Sequence, residues 1–484
     1  MKRLLAIMLS MFMVLGFAVG CVSDEGTPAP APSGETSDPV VPDSEPVVPV
    51  DPNKEDLRVW SFTDEITNAI ARYAEMNPDS IVNNFNIVPV ILTDWDGSYE
   101  QAIEPALKAG GDNAPDLFAA EQAFVLKFSQ GEFSSFAATY TELGIENVEG
   151  KIVDAGLAQY AVDAGRRDGE VVALRFQETG SCFIYRRSIA EEVFGTADPA
   201  VIGNIVGPGW DKFMEAAAQV KEHGYAMVYG DEDVWQVARD GAAQSWVVDG
   251  TLYIDPARLA YFDLAKILYD NDYMIGAGAW NDGWFAGMAG TTDPVVFAYM
   301  GPAWLINYVM AGQAANNPSY NDWAVTTSPV PWAWGGTWLF GHRDLQGDKR
   351  AAVAEILEWI TLDISEDSFQ QHFAAGTLFR GSELFSAEAA AYEAGESAKD
   401  AVASSVIMAR TDGSIDMLGG QNMFEYFIPA AANARSSHWH EFDSTINGIF
   451  QDFCRQYYSG EMTKEEALEG FKAQVYDRLG IPSE

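Results

Sequence analysis

Apolar residues alternate or recur at helical spacing from Leu57 onward, and the spacing predicts a series of strands and helices. Leu57-Arg58-Val59-Trp60-Ser61-Phe62 predicts a strand, and 86–92 and 116–120 predict two more. A helical period fills 64–76, with Ile66, Ile70 and Tyr73 on one face, Thr63 as its cap and Asn77-Pro78 as its stop. A second fills 98–108 and is closed by Gly110-Gly111. The order strand, helix, strand, helix, strand predicts a parallel sheet covered on both faces.

The pattern continues with a strand pair at 171–176 and 182–185 and a helix from Trp210 to Glu222. Asp255 caps and Pro256 opens a helix reaching about 270. A strand at 295–300 leads into Gly301-Pro302-Ala303-Trp304, which opens another helix, and 351–360 predicts a further one with Val353, Ile356, Leu357 and Ile360 inward. In the last helix Thr463 and Glu466 form a capping box, and Gly480 then Pro482 end it. Between these elements lies Pro329-Val330-Pro331-Trp332-Ala333-Trp334-Gly335-Gly336-Thr337-Trp338-Leu339-Phe340. Its tryptophans and paired glycines suit a ligand whose C–H face stacks on indole, as a sugar's does, while the backbone approaches closely. A buried Trp-rich strand and turn reads the same residues equally well.

The start of the chain has a different pattern. Lys2 and Arg3 precede an apolar run from Leu4 to Val19, too short for a membrane span. The run ends Ala18-Val19-Gly20-Cys21, so 1–20 reads as an export signal that resembles a lipoprotein signal, with Cys21 the lipidated residue. Residues 21–56 carry recurrent prolines among Ser, Thr, Gly and acids, with Lys54 the only base, and read as a disordered tether. Together these features predict an exported protein anchored by lipid to the outer face of the cytoplasmic membrane, at a cell surface or in a periplasm.

Composition narrows the chemistry. The 484 residues, 48% hydrophobic, suffice for two lobes with sizeable cores. Lys plus Arg numbers 29 against 71 Asp plus Glu, a formal net charge of −42, which argues against nucleic-acid binding and favours a neutral or cationic ligand. Besides Cys21 the cysteines are Cys182 and Cys454, which can be two small buried hydrophobes or a disulfide. Walker A, HExxH, GxSxG and Rossmann fingerprints are absent from the sequence, and no cofactor, metal or catalytic residue is expected. Asp94-Trp95-Asp96-Gly97 hints at a calcium loop, but its glycine falls too early for an EF-hand, and a turn before a helix accounts for it better.

In order, several segments resemble a family 1 extracellular solute-binding protein, the receptor of a bacterial sugar-type ABC importer. They are Val59-Trp60-Ser61-Phe62 with Asn77-Pro78; Gly110-Gly111 with Pro115-Asp116-Leu117-Phe118; Ile184-Tyr185-Arg186-Arg187 with Trp210-Asp211-Lys212-Phe213; Gly301-Pro302-Ala303-Trp304; Gly335-Gly336 with Leu339; and Leu378-Phe379-Arg380. The resemblance spans about 57–480. It implies an α/β, two-lobed periplasmic-binding-protein-like (Venus flytrap) fold with discontinuous lobes and a ligand cleft. The N-terminal lobe is expected at 57–178 plus 292–332 and the C-terminal lobe at 180–290 plus 333–484. It also implies a monomer that closes on a sugar, an oligosaccharide being the expected ligand, and presents it to permease subunits.

The resemblance places candidate ligand contacts at Asp64 and Glu65 after the first strand and at Glu121 and Gln122 after the third, although each pair also suits a helix start. Glu178 at the crossover and Arg380 in a late loop are further polar candidates, Arg380 equally suiting a structural ion pair. Trp304 is the expected stacking platform, with Trp334, Gly335 and Gly336 forming a hinge-side wall. Trp235 and Trp439 lie where relatives place aromatics, Trp280 and Trp284 flank Asn281-Asp282-Gly283 in a Gly-rich segment, and lobe packing would explain all four as well. Trp338 and Trp210 are expected to be structural, and Trp332 is open. A secreted glycoside hydrolase, which would need two carboxylates flanking the bond, and a surface adhesin lipoprotein are the competing readings.

Overall fold

The computed structural model describes residues 46–94, 97–315, 317 and 319–483. The export signal 1–20, Cys21, most of the tether, and Trp95 and Asp96 of the loop before the second helix lie outside the described residues.

Strands β1 (Glu55–Ser61), β2 (Phe85–Ile91) and β3 (Leu117–Glu121) pair in parallel, with β1 in the middle. Helices Glu65–Met76 and Ser98–Ala109 supply the crossovers, so the predicted strand–helix alternation is realised. Two later strands extend this sheet, β4 (Ala173–Arg175) and β8 (Thr337–Gly341), giving the order β2-β1-β3-β8-β4 with β8 antiparallel to both neighbours. A second sheet has the order β6-β5-β7, from β5 (Cys182–Arg186), β6 (Ala298–Gly301) and β7 (Trp323–Thr327), all antiparallel.

Each sheet is apolar on both faces, and strand alternation sorts the side chains. In the first, Leu57, Val59, Leu117, Ala119, Leu174 and Leu339 enter one core, while Trp60, Phe118, Ala120, Ala173, Trp338 and Phe340 enter the other. In the second, Phe183, Tyr185, Ala298, Met300 and Ala324 oppose Cys182, Ile184, Tyr299, Trp323 and Val325. The result is two α/β lobes, each with helices on both sides of a sheet.

Strand pairing corrects the expected division of the chain. The segment 292–332, expected in the first lobe, supplies β6 and β7, which flank β5 of the second sheet. The segment from 333, expected in the second lobe, supplies β8 to the first sheet, and the helix Gly347–Thr361 packs Val353, Ile356, Leu357 and Ile360 into the first-lobe core. Helices Asp443–Tyr458 and Lys464–Leu479 return to the second lobe, where Ile446, Phe450, Phe471 and Val475 are buried. The folded body also begins earlier than Leu57. Asp51 N donates to Asn86 Oδ1 at 2.9 Å, Asn86 Nδ2 donates to Asp51 O at 3.0 Å, and β1 starts at Glu55.

Several helix ends follow their local signals. Asp255 and Pro256 open Pro256–Asp270, and Thr463 with Glu466 closes both halves of a capping box. Thr63 does not cap the first helix; Asp64 occupies that place without a side-chain capping bond. Cys182 and Cys454 are both buried free thiols on different cores, so the open choice resolves to small hydrophobes.

Segments running between the sheets pair with one another. Glu178 N donates to Ala401 O at 3.0 Å and Ala403 N to Phe176 O at 2.7 Å. Ser181 N donates to Trp332 O at 2.9 Å and Trp334 N to Thr179 O at 3.1 Å. Chain around 177–181, 332–335 and 401–403 therefore forms a small belt joining the lobes. Among the described residues, no helix is long and apolar enough to cross a membrane.

Candidate functional site

The first sheet delivers carboxylates at the C-terminal ends of its three parallel strands. Asp64 and Glu65 follow β1, Asp94 follows β2, and Glu121 ends β3 with Gln122 behind it. Strand ends of an open α/β sheet point loops into one crevice, so this clustering follows from topology. Their interactions confirm the proximity. Burial, then the charges of Asp400 and Asp64, push Glu65 up to about 8. Burial also raises Glu121 to about 7, with Asp94 adding to the rise, while Arg239 and backbone N–H groups oppose it. Asp400, buried in the joining belt, is raised to about 7 by burial against one hydrogen bond from Ala401 N at 2.7 Å. Gln177 Nε2 donates to Glu65 Oε2 at 3.3 Å and ties this group to the belt.

The second lobe faces these acids with aromatic rings. Trp304 stands at the head of Leu305–Met310, which winds as a π-helix, a geometry that recurs at functional sites. Its Nε1 donates to Trp334 O at 3.1 Å, and the two rings meet edge to face at 4.9 Å. On its other side Trp280 lies nearly parallel, 8° between planes and 6.2 Å between centroids. Trp280 is 50% exposed and has φ of +65°, a conformation that a bulky L-residue rarely adopts. Trp334 in turn stacks on buried Trp332 at 6.4 Å. The indoles thus form a continuous row from an exposed end to the belt.

The row meets Glu121 and Gln122 at Gly335. Its N–H donates to Gln122 Oε1 at 2.6 Å, and its carbonyl accepts from Thr179 Oγ1 at 3.0 Å. A Cβ there would lie 3.2 Å from Trp304 Nε1 and 3.4 Å from Glu121 Oε1, and φ is +81°. Glycine is required by both the close approach and the left-handed backbone. Gly336, at φ +112°, likewise passes close to Arg175 and Thr179. Tyr308, on the π-helix, is raised by desolvation and by the charges of Glu65, Asp64 and Asp94.

Trp304, Trp334, Trp280, Gly335, Gly336, Asp64, Glu65, Glu121 and Gln122 are therefore brought to one region. Four other candidates are not. Trp235 is 1% exposed and packs on Trp246, Tyr261 and Phe450 inside the second-lobe core, because Val234, Val237 and Ala238 place that helix face inward. Trp439 is a core residue of the first lobe, set edge-on against Tyr160 and Trp338. Glu178 is 1% exposed and serves the belt: its Oε1 accepts from Arg175 at 2.9 Å, Tyr160 OH at 2.5 Å, and the N–H groups of Thr179 and Gly180. Arg380 is a surface cation over the Tyr392 ring, and its carbonyl accepts from Arg72. Trp338 is buried as expected, its Nε1 donating to Ala161 O at 2.9 Å.

Sequence reasoning missed Asp94 as a site residue, together with Arg239, Tyr308, Asp400 and Gln177. Asp94 was findable, since it follows the second strand as Glu65 follows the first, while Glu121 ends the third. The others arrive from distant chain and carry no local signal. Among the described residues, no three His, Cys, Asp or Glu side chains converge as a metal site would need.

No protein-family model and no curated protein matches the sequence. Solved structures do match. An extracellular solute-binding protein of family 1 aligns with a TM-score of 0.67 at 16% identity, covering 87% of this chain and 99% of its own. An ABC transporter associated binding protein from B. animalis subsp. lactis, in complex with beta-1,6-galactobiose, aligns at 0.61 and 18% identity, over 89% of this chain and 100% of its own. An ABC substrate-binding protein from Listeria monocytogenes, in complex with cycloalternan, aligns at 0.58 and 14% identity, over 88% and 100%. The two-lobed α/β fold expected from the resemblance is the fold these proteins have.

Proposed function

We propose that the chain is the sugar receptor of an ABC importer, binding a carbohydrate between its lobes without chemical change. The observation that carries the reading is the meeting of the Trp280–Trp304–Trp334 row with Glu121 and Gln122 at Gly335, while Glu65, Asp64 and Asp94 act on Tyr308 of the π-helix that Trp304 heads. Indole faces stack on the C–H faces of sugar rings, and carboxyl and amide groups pair with hydroxyls in fixed directions. Solved proteins of the same fold hold beta-1,6-galactobiose and cycloalternan, which supports a carbohydrate and favours more than one ring. A row of indoles suits such length.

Ligand contacts come from both lobes and from the belt, so a bound sugar favours whichever lobe arrangement lets all of them engage. Permease subunits of the transporter would read that arrangement and accept the sugar. Lipid on Cys21 and the Pro-rich tether would hold a monomeric receptor near the membrane on its outer face.

The test is a panel of mono- and oligosaccharides against the purified chain, read by tryptophan fluorescence and by thermal stability. Binding should shift emission and raise the melting temperature with occupancy. A panel without effect removes the sugar-receptor reading, and a sugar that is bound and then cleaved replaces it with the hydrolase.

A further inference from the structure

We propose that Glu232 is a positioning residue for the outer end of the indole row. Its carboxylate holds the backbone that carries Trp280, and through that ring it sets how long a sugar the site retains. The inference rests on the sugar-receptor reading and adds the residue that decides ligand length.

One helix holds the backbone ahead of every ring in the row. Asp231–Asp240 sends carboxylates to three backbone N–H groups, each a short way before an indole. Glu232 Oε2 accepts from Ala279 N, directly before Trp280. Asp233 Oδ1 accepts from Met300 N at 3.2 Å, in the strand that leads to Trp304. Asp240 Oδ2 accepts from Ala333 N at 3.1 Å, directly before Trp334. Asp233 and Asp240 are buried, whereas Glu232 is partly exposed, at the end where the row itself reaches solvent.

Glu232 is braced for this task. Its Oε1 accepts from Arg455 Nη2 at 2.7 Å, and Arg455 Nε lies 3.4 Å from Asp231 Oδ2. The helix Asp443–Tyr458 thus fixes one carboxylate oxygen while the other takes the loop N–H, and both bonds are charge-assisted. The loop needs such a hold. Trp280 has φ of +65°, which a bulky residue keeps only where its surroundings enforce it. Before it, Ala277 N donates to Tyr229 O at 3.0 Å; after it, Asn281 Oδ1 accepts from Trp284 N at 3.1 Å. The Glu232 bond lies between these two, next to the strained residue. The indole rests against buried Trp284, 4.9 Å between centroids, and runs nearly parallel to Trp304. Its direction is therefore fixed while half of it stays open.

Place in the row gives the consequence. Trp304 and Trp334 close on Gly335 beside Glu121 and Gln122, and Trp280 lies beyond Trp304 at the exposed end. A single sugar ring seated at Gly335 does not need Trp280. A further ring extending along the row does, and its stacking depends on the orientation that Glu232 enforces.

The experiment is calorimetric titration of the purified full chain with glucose and galactose as single rings and with β-1,6-galactobiose, maltotriose and cellotriose as longer ligands. Wild type, Glu232→Ala, Trp280→Ala and the double variant form a cycle. For the longer sugar that binds most tightly, each single change should weaken binding about 10-fold, and the double variant should stay within about 2-fold of Trp280→Ala. Affinity for a single ring should change by less than about 2-fold. Glu232→Gln, which keeps an oxygen for the Ala279 N–H, should recover most of the loss. Losses that add, a Glu232→Ala loss equal for short and long sugars, or a chain that takes single rings only overturn this inference and leave the sugar-receptor reading standing. Silence from every sugar overturns both. Where no single ring binds, the cycle alone decides. Glu232→Ser, also too short to reach Ala279, replaces Glu232→Ala if that variant does not fold.

Discussion

Replacing Glu65 with glutamine isolates one proton from the many that titrate in so acidic a chain. Glu65 sits at the first turn of Glu65–Met76, partly buried, beside Asp64 and within reach of Asp400 in the belt. Burial first, then the two neighbouring charges, lift it from 4.5 to about 8. The folded state therefore holds this proton more tightly than the unfolded chain does. The sign follows: the stabilisation is complete below pH 4.5 and is lost as pH climbs through about 8. Within that window one proton changes the unfolding free energy by up to about 1.4 kcal/mol per pH unit. Asp400 titrates in the same range and shares the repulsion, so about 1–3 kcal/mol between about pH 5 and about pH 7 is the reasonable scale for Glu65 alone. Glutamine keeps the shape and hydrogen bonding of the protonated acid and cannot ionise. Urea unfolding followed by tryptophan emission at the two pH values measures it. The variant should match wild type at the lower pH and exceed it at the higher. Parallel pH profiles for the two proteins would refute the assignment of a raised Glu65.

Trp304→Ala should weaken sugar binding by about 10-fold or more with little change in melting temperature, since the ring is partly exposed at the site. Trp338→Ala should instead cost about 3–5 kcal/mol of stability, because its ring is wholly buried, and calorimetry with binding data on both variants would expose a reversed order. Gly335→Ala puts a methyl 3.2 Å from Trp304 Nε1 on a backbone at φ +81°; it should cost about 1–2 kcal/mol and reduce affinity, measured by unfolding and by titration. Glu178→Ala should destabilise by about 3–5 kcal/mol by leaving Arg175, itself 1% exposed, without its carboxylate; a loss under about 1 kcal/mol in urea unfolding would contradict that role.

Much of the fold was legible because its signals are local. The β1–β3 crossovers announce themselves through the change from a period of two to a period of 3.6, and Thr463, Glu466, Asp255 and Pro256 mark helix ends by side-chain chemistry. Assignment of β6, β7 and β8 to sheets was not legible. β6 and β8 read as apolar strands and β7 is not singled out by the pattern, and the side chains of all three are buried on both faces whichever sheet they join. Only pairing partners more than a hundred residues away distinguish them, and a strand pattern does not encode its partner. The site divides in the same way. Trp304, Trp334 and Gly335 stood out by composition and position, whereas Trp235 followed a run of acids at a helix start and proved to be on the buried face. Arg239 and Asp400 reach the site from a helix end and from the belt, so their role exists only in three dimensions.

On the proposed reading the belt does more than connect the lobes, because the same residues would serve as hinge and as ligand wall. Trp334 bonds through its N–H to Thr179 O, offers its carbonyl to Trp304, and precedes the glycine held by Gln122 and Thr179. Thr179 is in turn fixed by Arg175 and by the Glu178 carboxylate that takes its N–H. A lobe rotation that moved Trp304 away from Glu121 would have to stretch or rearrange bonds at Trp334 and Gly335, in a segment whose next residues are buried strand. Displacing the ring row is therefore tied to the belt's own hydrogen bonds, and a sugar resting on Trp304 and Trp334, as proposed, would bias those bonds directly. Such coupling needs no relay through the lobe cores. It predicts that Thr179→Val, which removes the hydroxyl bond to Gly335 while keeping the side chain's volume, will change sugar affinity although Thr179 is buried and distant in sequence from every ring of the row. Titration with the sugar found by the panel would show an unchanged affinity if hinge and wall were independent.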